Sequence, residues 1–119
     1  MKNLFIGFLV LNLLLEGLAA VFLISGPQGA LSVAKADGMM WAMNYGFAAV
    51  AIASAVFWVW PGRNNRQVVG AVLGILVVFH AALFVSVAIQ GNQVPYVVIH
   101  GSMAALAAIL YATRSTYTT

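Results

Sequence analysis

The sequence predicts an all-α integral membrane protein, folded as an antiparallel four-helix bundle, and two observations support that prediction. First, 64% of the 119 residues are hydrophobic and only 6% are charged, whereas a typical soluble domain is about 45–50% apolar and about 25% charged. Second, the apolar residues form four long stretches. A helix rises about 1.5 Å per residue, so roughly 20 apolar residues cross the hydrocarbon core of a bilayer.

The four predicted spans take up nearly the whole chain, so we expect a single domain over residues 1–119. In chain order, the spans are expected at about residues 4–25, 39–60, 67–90 and 94–113. Helix-breaking glycine and proline end the first two spans, at Gly26-Pro27 and Pro61-Gly62. Gly91-Asn92 supplies a turn before the fourth span, where Pro95 occupies a first-turn position that needs no N–H donor.

The basic residues predict the orientation of the spans. Those at the amino terminus, in the second loop and at the carboxy terminus would share one side of the membrane: Lys2, Arg63, Arg66 and Arg114. The first loop holds Lys35 beside Asp37. By the positive-inside rule, both termini face the cytoplasm of a bacterial-type inner membrane. Residues 27–38 are expected to form either an ordered loop or a short helix on the outer surface.

The composition also bears on function. The net charge of +3 reflects a shortage of acidic residues and not a basic cluster, so no nucleic-acid partner is indicated. The absence of cysteine excludes disulfides, thiolate metal sites and thiol nucleophiles. No nucleophile or oxyanion hole is marked, so the sequence does not favour an enzyme and no catalytic residue is assigned.

Polar residues within the spans predict a buried pocket. Glu16 stands near the middle of the first span, where an acidic side chain costs roughly 2.5–3.5 kcal/mol and usually faces the protein interior. Asn12 lies one turn earlier on the same face. Counted inward from the outer span ends, Glu16, Asn44, His80 and His100 lie about 13, 8, 15 and 9 Å deep. We therefore expect these four residues to cluster in the outer half of the bilayer.

Each of these residues also has a purely structural interpretation. An asparagine in a span often joins two helices by a hydrogen bond worth about 0.6 kcal/mol, an interpretation that suits both Asn12 and Asn44. His80 and His100 are as well explained by packing as by ligand binding. Glu16 is the hardest to explain structurally, because a carboxyl is an expensive helix contact in a membrane.

Small residues form stripes that let helices approach closely. Gly70 and Gly74 make a G-x-x-x-G pattern in the third span. The fourth span has a stripe of Gly101, Ala105, Ala108 and Ala112. These stripes serve either packing within the chain or a homo-oligomer.

Four functions remain open at this stage. The favoured one is a polar pocket that binds a small hydrophobic or protonatable ligand. A second is haem or chlorin binding through His80 and His100. A third is proton-coupled export, since small multidrug-resistance transporters also have four spans and a first-span glutamate that Glu16 matches. A fourth is an accessory subunit of a larger membrane complex. No helical spacing of histidine and glutamate indicates a metal site.

The chain resembles the DoxX-like group of small bacterial four-span proteins over most of its length. The resemblance lies in Gly26-Pro27, a polar outer loop, Asn44-Tyr45-Gly46, Gly62-Arg63 and Gly91-Asn92. It implies a left-handed four-helix membrane bundle, sometimes associated with quinone-linked oxidoreductases. His80 and His100 depart from the group's usual pattern, so the resemblance extends to fold and location and to no catalytic role.

Overall fold

The computed structural model describes residues 1–25, 36–91 and 94–119. All regular secondary structure in these ranges is helical. The five α-helices are α1 (Lys2–Ser25), α2 (Ala36–Ala53), α3 (Ala55–Val59), α4 (Arg66–Gln90) and α5 (Val94–Thr113), and a 3₁₀ turn covers Arg114–Thr116. The Gly26-Pro27 break, most of the loop predicted at 27–38 and Asn92 lie outside the described residues.

Four segments are long and apolar enough to cross a membrane, which confirms that part of the prediction. They are Lys2–Ser25, Met40–Val59, Arg66–Gln90 and Val94–Thr116. Observed and predicted helix limits agree within two residues for α1, α4 and α5. The second span differs, because it starts in a helix at Ala36 and is divided into α2 and α3.

The division of the second span lies at Ser54. Its N–H still donates to the Val50 carbonyl at 3.0 Å, but its own carbonyl accepts from Phe57 N–H at 2.9 Å, three residues onward. The Ser54 hydroxyl donates to the Ala51 carbonyl at 2.7 Å. Serine side chains compete in this way with the regular helix ladder. A single serine therefore interrupts a span that the hydropathy pattern predicts as continuous.

The chain forms two compact units, and α1 contributes to both. The Glu16 unit is Leu9–Phe57, and the histidine unit is Met1–Phe8 with Trp58–Thr119. In the Glu16 unit, α1 and α2 approach closely at Gly46. A Cβ built there would lie 2.9 Å from Ile24 Cγ1 and 3.0 Å from Leu23 Cβ. Only glycine leaves room for this approach.

In the histidine unit, α4 and α5 pack along two buried stripes. The stripe on α4 is Val69, Leu73, Leu76 and His80, and that on α5 is His100, Met103, Ala107 and Leu110. Residues three and four apart share one helix face, so each stripe is continuous. A Cβ at Gly101 would lie 3.0 Å from the Phe84 ring, and one at Gly70 would lie 3.0 Å from Arg114 Nε.

The segment between α3 and α4 is tied to the carboxy-terminal residues. Asn65 caps α4, and its Oδ1 accepts from the N–H groups of Gln67 at 2.9 Å and Val68 at 3.1 Å. Thr119 N–H donates to the Asn64 carbonyl at 2.7 Å, and Arg66 N–H donates to the Thr119 carbonyl at 3.0 Å. These bonds hold the start of α4, including the backbone of Arg66, against the carboxy-terminal residues.

Candidate functional site

Asn12 and Glu16 lie on the buried face of α1. Their exposed fractions are 0% and 2%. Leu9 and Ala20 are buried with them, so the face follows the helical repeat of three to four residues. The sequence predicts this shared face correctly, because it depends only on the spacing of the two polar residues.

Tyr45 on α2 is the partner of Glu16 within their unit. Its hydroxyl donates to Glu16 Oε2 over 3.5 Å, a long hydrogen bond. Sequence reasoning does not assign Tyr45 to the site. The sequence feature that could have indicated Tyr45 is its position beside Gly46. A glycine that lets a neighbouring helix approach also brings the adjacent residues close to that helix.

Asn44 is a correction to the predicted pocket. It lies on the exposed face of α2, whereas Tyr45 is half-buried. Consecutive residues on an α-helix point about 100° apart, since one turn takes 3.6 residues. The rotation that directs Tyr45 toward Glu16 therefore turns Asn44 outward. Depth in the membrane, which the sequence predicts, does not determine this rotation.

Asn12 makes a contact between helices. Its Nδ2 donates to the Ile52 carbonyl at 2.9 Å. Ile52 lies two residues before the interruption at Ser54, where the backbone ladder of α2 ends. This is the arrangement expected of a polar side chain that joins two apolar helices. Asn12 therefore supports the packing of the Glu16 unit.

His80 and His100 lie in direct contact inside the histidine unit. Their Nδ1 atoms are 3.1 Å apart, and the rings are stacked with centroids 5.4 Å apart and planes at 30°. His80 is 0% exposed and His100 is 9% exposed. The Phe79 ring meets the His80 ring edge-on at 5.1 Å. Two histidines 20 positions apart thus form one buried pair on otherwise apolar helix faces.

The contact restricts where the protons of the pair lie. A hydrogen bond between two Nδ1 atoms needs one protonated and one bare nitrogen. In a neutral pair, the ring that donates through Nδ1 has an acceptor at Nε2, and the other ring has a donor at Nε2. The neutral pair therefore combines one hydrogen-bond donor and one acceptor on its outer nitrogens. The two roles are exchanged only when the proton between the Nδ1 atoms moves to the other ring, that ring loses its Nε2 proton and the first ring gains one at Nε2.

As the rings lie here, the two Nδ1 atoms are too close together to hold a haem iron between them. Ligands on opposite faces of a haem iron would place their nitrogens about 4 Å apart, because each metal–imidazole bond is about 2.0–2.1 Å. The observed 3.1 Å separation is that of a direct hydrogen bond. Haem ligation by His80 and His100, and chlorin ligation by one of them, stay predictions.

An apolar groove runs along α1, α2 and α3 in the Glu16 unit. Its volume is about 420 Å³. Two serines line it, yet Ser25 donates to the Val21 carbonyl and Ser54 to the Ala51 carbonyl. With these hydroxyls satisfied by their own helices, the surface of the groove is almost entirely hydrocarbon. It can hold an acyl chain or another apolar group.

Among the described residues, every fully buried side-chain nitrogen and oxygen has a hydrogen-bond partner. The buried polar groups of the two units are therefore satisfied within the folded chain. Comparisons of this chain with models of known protein families, with curated proteins and with solved structures found no match. The functional argument consequently depends on the geometry of the side chains alone.

Proposed function

We propose that the chain spans a bacterial-type inner membrane four times, in antiparallel order and with both termini in the cytoplasm. Four apolar helices of membrane-crossing length support this proposal. The basic residues of the termini and of the segment between α3 and α4 support this orientation through the positive-inside rule.

We propose that within this membrane domain the protein binds a small, largely apolar ligand that carries one hydrogen-bonding or protonatable group. The observation that supports this function best is the His80–His100 contact of 3.1 Å between Nδ1 atoms. His100 is the member that meets the ligand, because it keeps 9% of its surface exposed whereas His80 has none.

A purely structural role explains the pair less well. Hydrogen bonds between membrane helices contribute about 0.6 kcal/mol on average. The histidine pair would therefore stabilise the fold little more than two packed leucines at the same positions. Ionisable residues inside membranes are rare and usually mark ligand or proton pathways. The outer nitrogen of His100 is a donor or an acceptor according to where the protons of the pair lie, so it can bond to a ligand hydroxyl, carbonyl or amine.

The test compares small molecules retained by the protein after gentle extraction from its native membrane. We expect mass spectrometry to find a compound with the wild-type protein that His100→Gln loses. Tyr117→Phe is the matched control, since it removes one hydrogen bond, to the Leu110 carbonyl, from the same unit. An unchanged set of bound molecules in His100→Gln would refute the proposal.

The absorbance spectrum of the same preparation separates the ligand classes. A Soret band that disappears in His100→Gln would identify the ligand as a tetrapyrrole held by that histidine. A spectrum with no absorbance above the protein band would exclude tetrapyrroles and leave a colourless ligand to be identified by its mass.

A second candidate function, proton-coupled transport, is favoured by the Glu16–Tyr45 contact. A buried carboxyl with a phenolic hydroxyl at 3.5 Å can gain or lose a proton and keep that contact, because the hydroxyl can both donate and accept. We expect uptake of a cationic dye into proteoliposomes to follow an imposed pH gradient. Glu16→Gln should abolish that uptake, and Tyr45→Phe should only alter its rate. Uptake that is equal with and without Glu16 would rule out this function.

A further inference from the structure

A polar cleft lies at the end of the histidine unit that is formed by the start of α4 and the end of α5. Its volume is about 650 Å³. Arg66, Gln67, Tyr111 and Arg114 line it together with the small residue Gly70. The cleft is about half polar, unlike the groove of the Glu16 unit, and it contains neither histidine.

Local contacts hold Arg114 in the cleft. Its guanidinium lies over the Tyr111 ring at 4.0 Å, and its Nη1 donates to the Tyr111 carbonyl. Such stacking is a favourable cation–π contact. The side chain passes over Gly70, where an added Cβ would lie 3.0 Å from Nε and 3.4 Å from Cδ. The glycine therefore makes room for the arginine.

Arg66 is held by its backbone. Its N–H donates to the Thr119 carbonyl at 3.0 Å, whereas the side chain is exposed. The first N–H groups of α4 are already occupied, because Asn65 Oδ1 accepts from Gln67 and Val68. The donors that the cleft offers to a ligand are therefore side-chain donors, and the helix terminus is not the site.

The charge of the unit is unbalanced. Its two segments, residues 1–8 and 58–119, contain Lys2 and three arginines but no aspartate or glutamate. Arg66 and Arg114 thus line one cleft without a side-chain carboxylate from their own unit to neutralise them. A guanidinium group is planar and carries five N–H donors, two of which can bond to two oxygens of one phosphate group.

We propose that this cleft binds a phosphate group. Phospholipid headgroups and free phosphate both supply that chemistry. The position of the cleft, at the ends of two apolar helices of membrane-crossing length, favours the headgroup of an anionic lipid. The proposal does not depend on the ligand of the histidine pair.

The experiment measures lipid retention by native mass spectrometry of the full chain in mild detergent. Equal amounts of phosphatidylglycerol and phosphatidylcholine are added as probes. We expect the wild type to retain phosphatidylglycerol in preference to phosphatidylcholine. Arg66→Gln and Arg114→Gln should each lower the retention of phosphatidylglycerol about fivefold, since one basic residue near anionic lipid contributes about 1 kcal/mol, which corresponds to about that factor. Gln67 Nε2 and the Tyr111 hydroxyl remain in both variants.

Arg63→Gln is the matched control. It removes the same charge from the same end of the unit, but Arg63 lies over the Trp60 ring at 4.7 Å and donates to the Trp60 carbonyl outside the cleft. It should retain phosphatidylglycerol like the wild type. Arg66→Gln keeps the backbone bond to Thr119, so it tests the site even if Arg114→Gln fails to fold.

A second arm identifies the source of the phosphate. Thermal stabilisation by inorganic phosphate alone, present in the wild type and Arg63→Gln but lost in Arg66→Gln, would assign the site to free phosphate. Retention of phosphatidylglycerol that inorganic phosphate does not displace would assign it to the lipid. Lipid retention that neither Arg66→Gln nor Arg114→Gln lowers, together with no effect of inorganic phosphate, would overturn the proposal, as would an equal loss in Arg63→Gln and Arg66→Gln.

Discussion

The Glu16–Tyr45 contact is a bond between two single side chains, so its contribution can be isolated by paired substitutions. We expect Glu16→Gln and Tyr45→Phe to be non-additive in thermal unfolding in detergent. The coupling should be about 0.6 kcal/mol and at most about 1.7 kcal/mol, the range for hydrogen bonds between membrane helices. The 3.5 Å separation favours the lower value.

Tyr117→Phe is the control for this coupling. Its hydroxyl donates to the Leu110 carbonyl at 2.7 Å within the histidine unit, whereas Glu16 belongs to the other unit. Its effect should add to that of Glu16→Gln. Additive effects of Glu16→Gln and Tyr45→Phe would show that the Glu16–Tyr45 contact is absent in solution.

The histidine pair gives a second prediction at the residue scale. One shared proton between the two Nδ1 atoms should produce a nitrogen–nitrogen coupling across the hydrogen bond in ¹⁵N-histidine NMR spectra. We expect it in the neutral pair, and we expect it to vanish in both His80→Gln and His100→Gln. Spectra in which both rings carry their proton on Nε2 would contradict the pairing, because two bare Nδ1 atoms cannot bond.

These residues also show how far sequence alone leads. Glu16, His80 and His100 are recognisable because ionisable side chains are rare in apolar helices. Tyr45 and Asn44 are not separable by that argument, since both are polar and lie at nearly the same depth. A helix rotated by one residue exchanges a buried for an exposed position, and only packing against a neighbour determines that rotation.

At the scale of elements, Gly46 controls the approach of α1 and α2. We expect Gly46→Ala to lower the free energy of unfolding by about 1–3 kcal/mol, as overpacking does. The reason is that the new Cβ would lie 2.9 Å from Ile24 Cγ1, so the two helices must separate. Thermal unfolding in detergent measures the effect, and the Tyr45–Glu16 coupling should fall with it.

Gly7→Ala is the matched control on α1, because an added Cβ there meets nothing within 4 Å. It should leave stability unchanged or raise it slightly, since alanine favours a helix more than glycine does. Equal effects at the two positions would mean that helix propensity, and not the close approach at Gly46, explains the loss.

The division between α2 and α3 marks the limit of hydropathy at this scale. Average hydropathy over a window of residues predicts the existence of each long helix, and it does so correctly for all four segments. It cannot detect one serine hydroxyl that bonds to the Ala51 carbonyl. The early start of α2 at Ala36 is also undetected, because hydropathy reports the apolar core and not the polar turns that extend a helix beyond it.

At the scale of the whole molecule, apolar side chains remain exposed along every long helix. Examples are Phe22 at 65%, Phe47 at 60%, Val78 at 68% and Val98 at 59% exposed. Monomeric soluble proteins rarely leave apolar surface of this extent open to water. Hydrocarbon is the solvent that such surfaces suit, and the proposed membrane topology follows from them together with the charge distribution.

The topology can be tested with single cysteines, because the natural chain has none and gives no background. Gln90 and Ser115 are both exposed; Gln90 is the last residue of α4, and Ser115 lies in the 3₁₀ turn that follows α5. With cytoplasmic termini, Gln90→Cys should react with a membrane-impermeant maleimide on intact cells, and Ser115→Cys should react only after permeabilisation. The reverse pattern would invert the orientation and move the arginine cleft to the outer surface. Labelling of both cysteines on intact cells would place both on the outer side of the membrane. It would refute the antiparallel pair of spans, because α5 would then not cross the membrane between them.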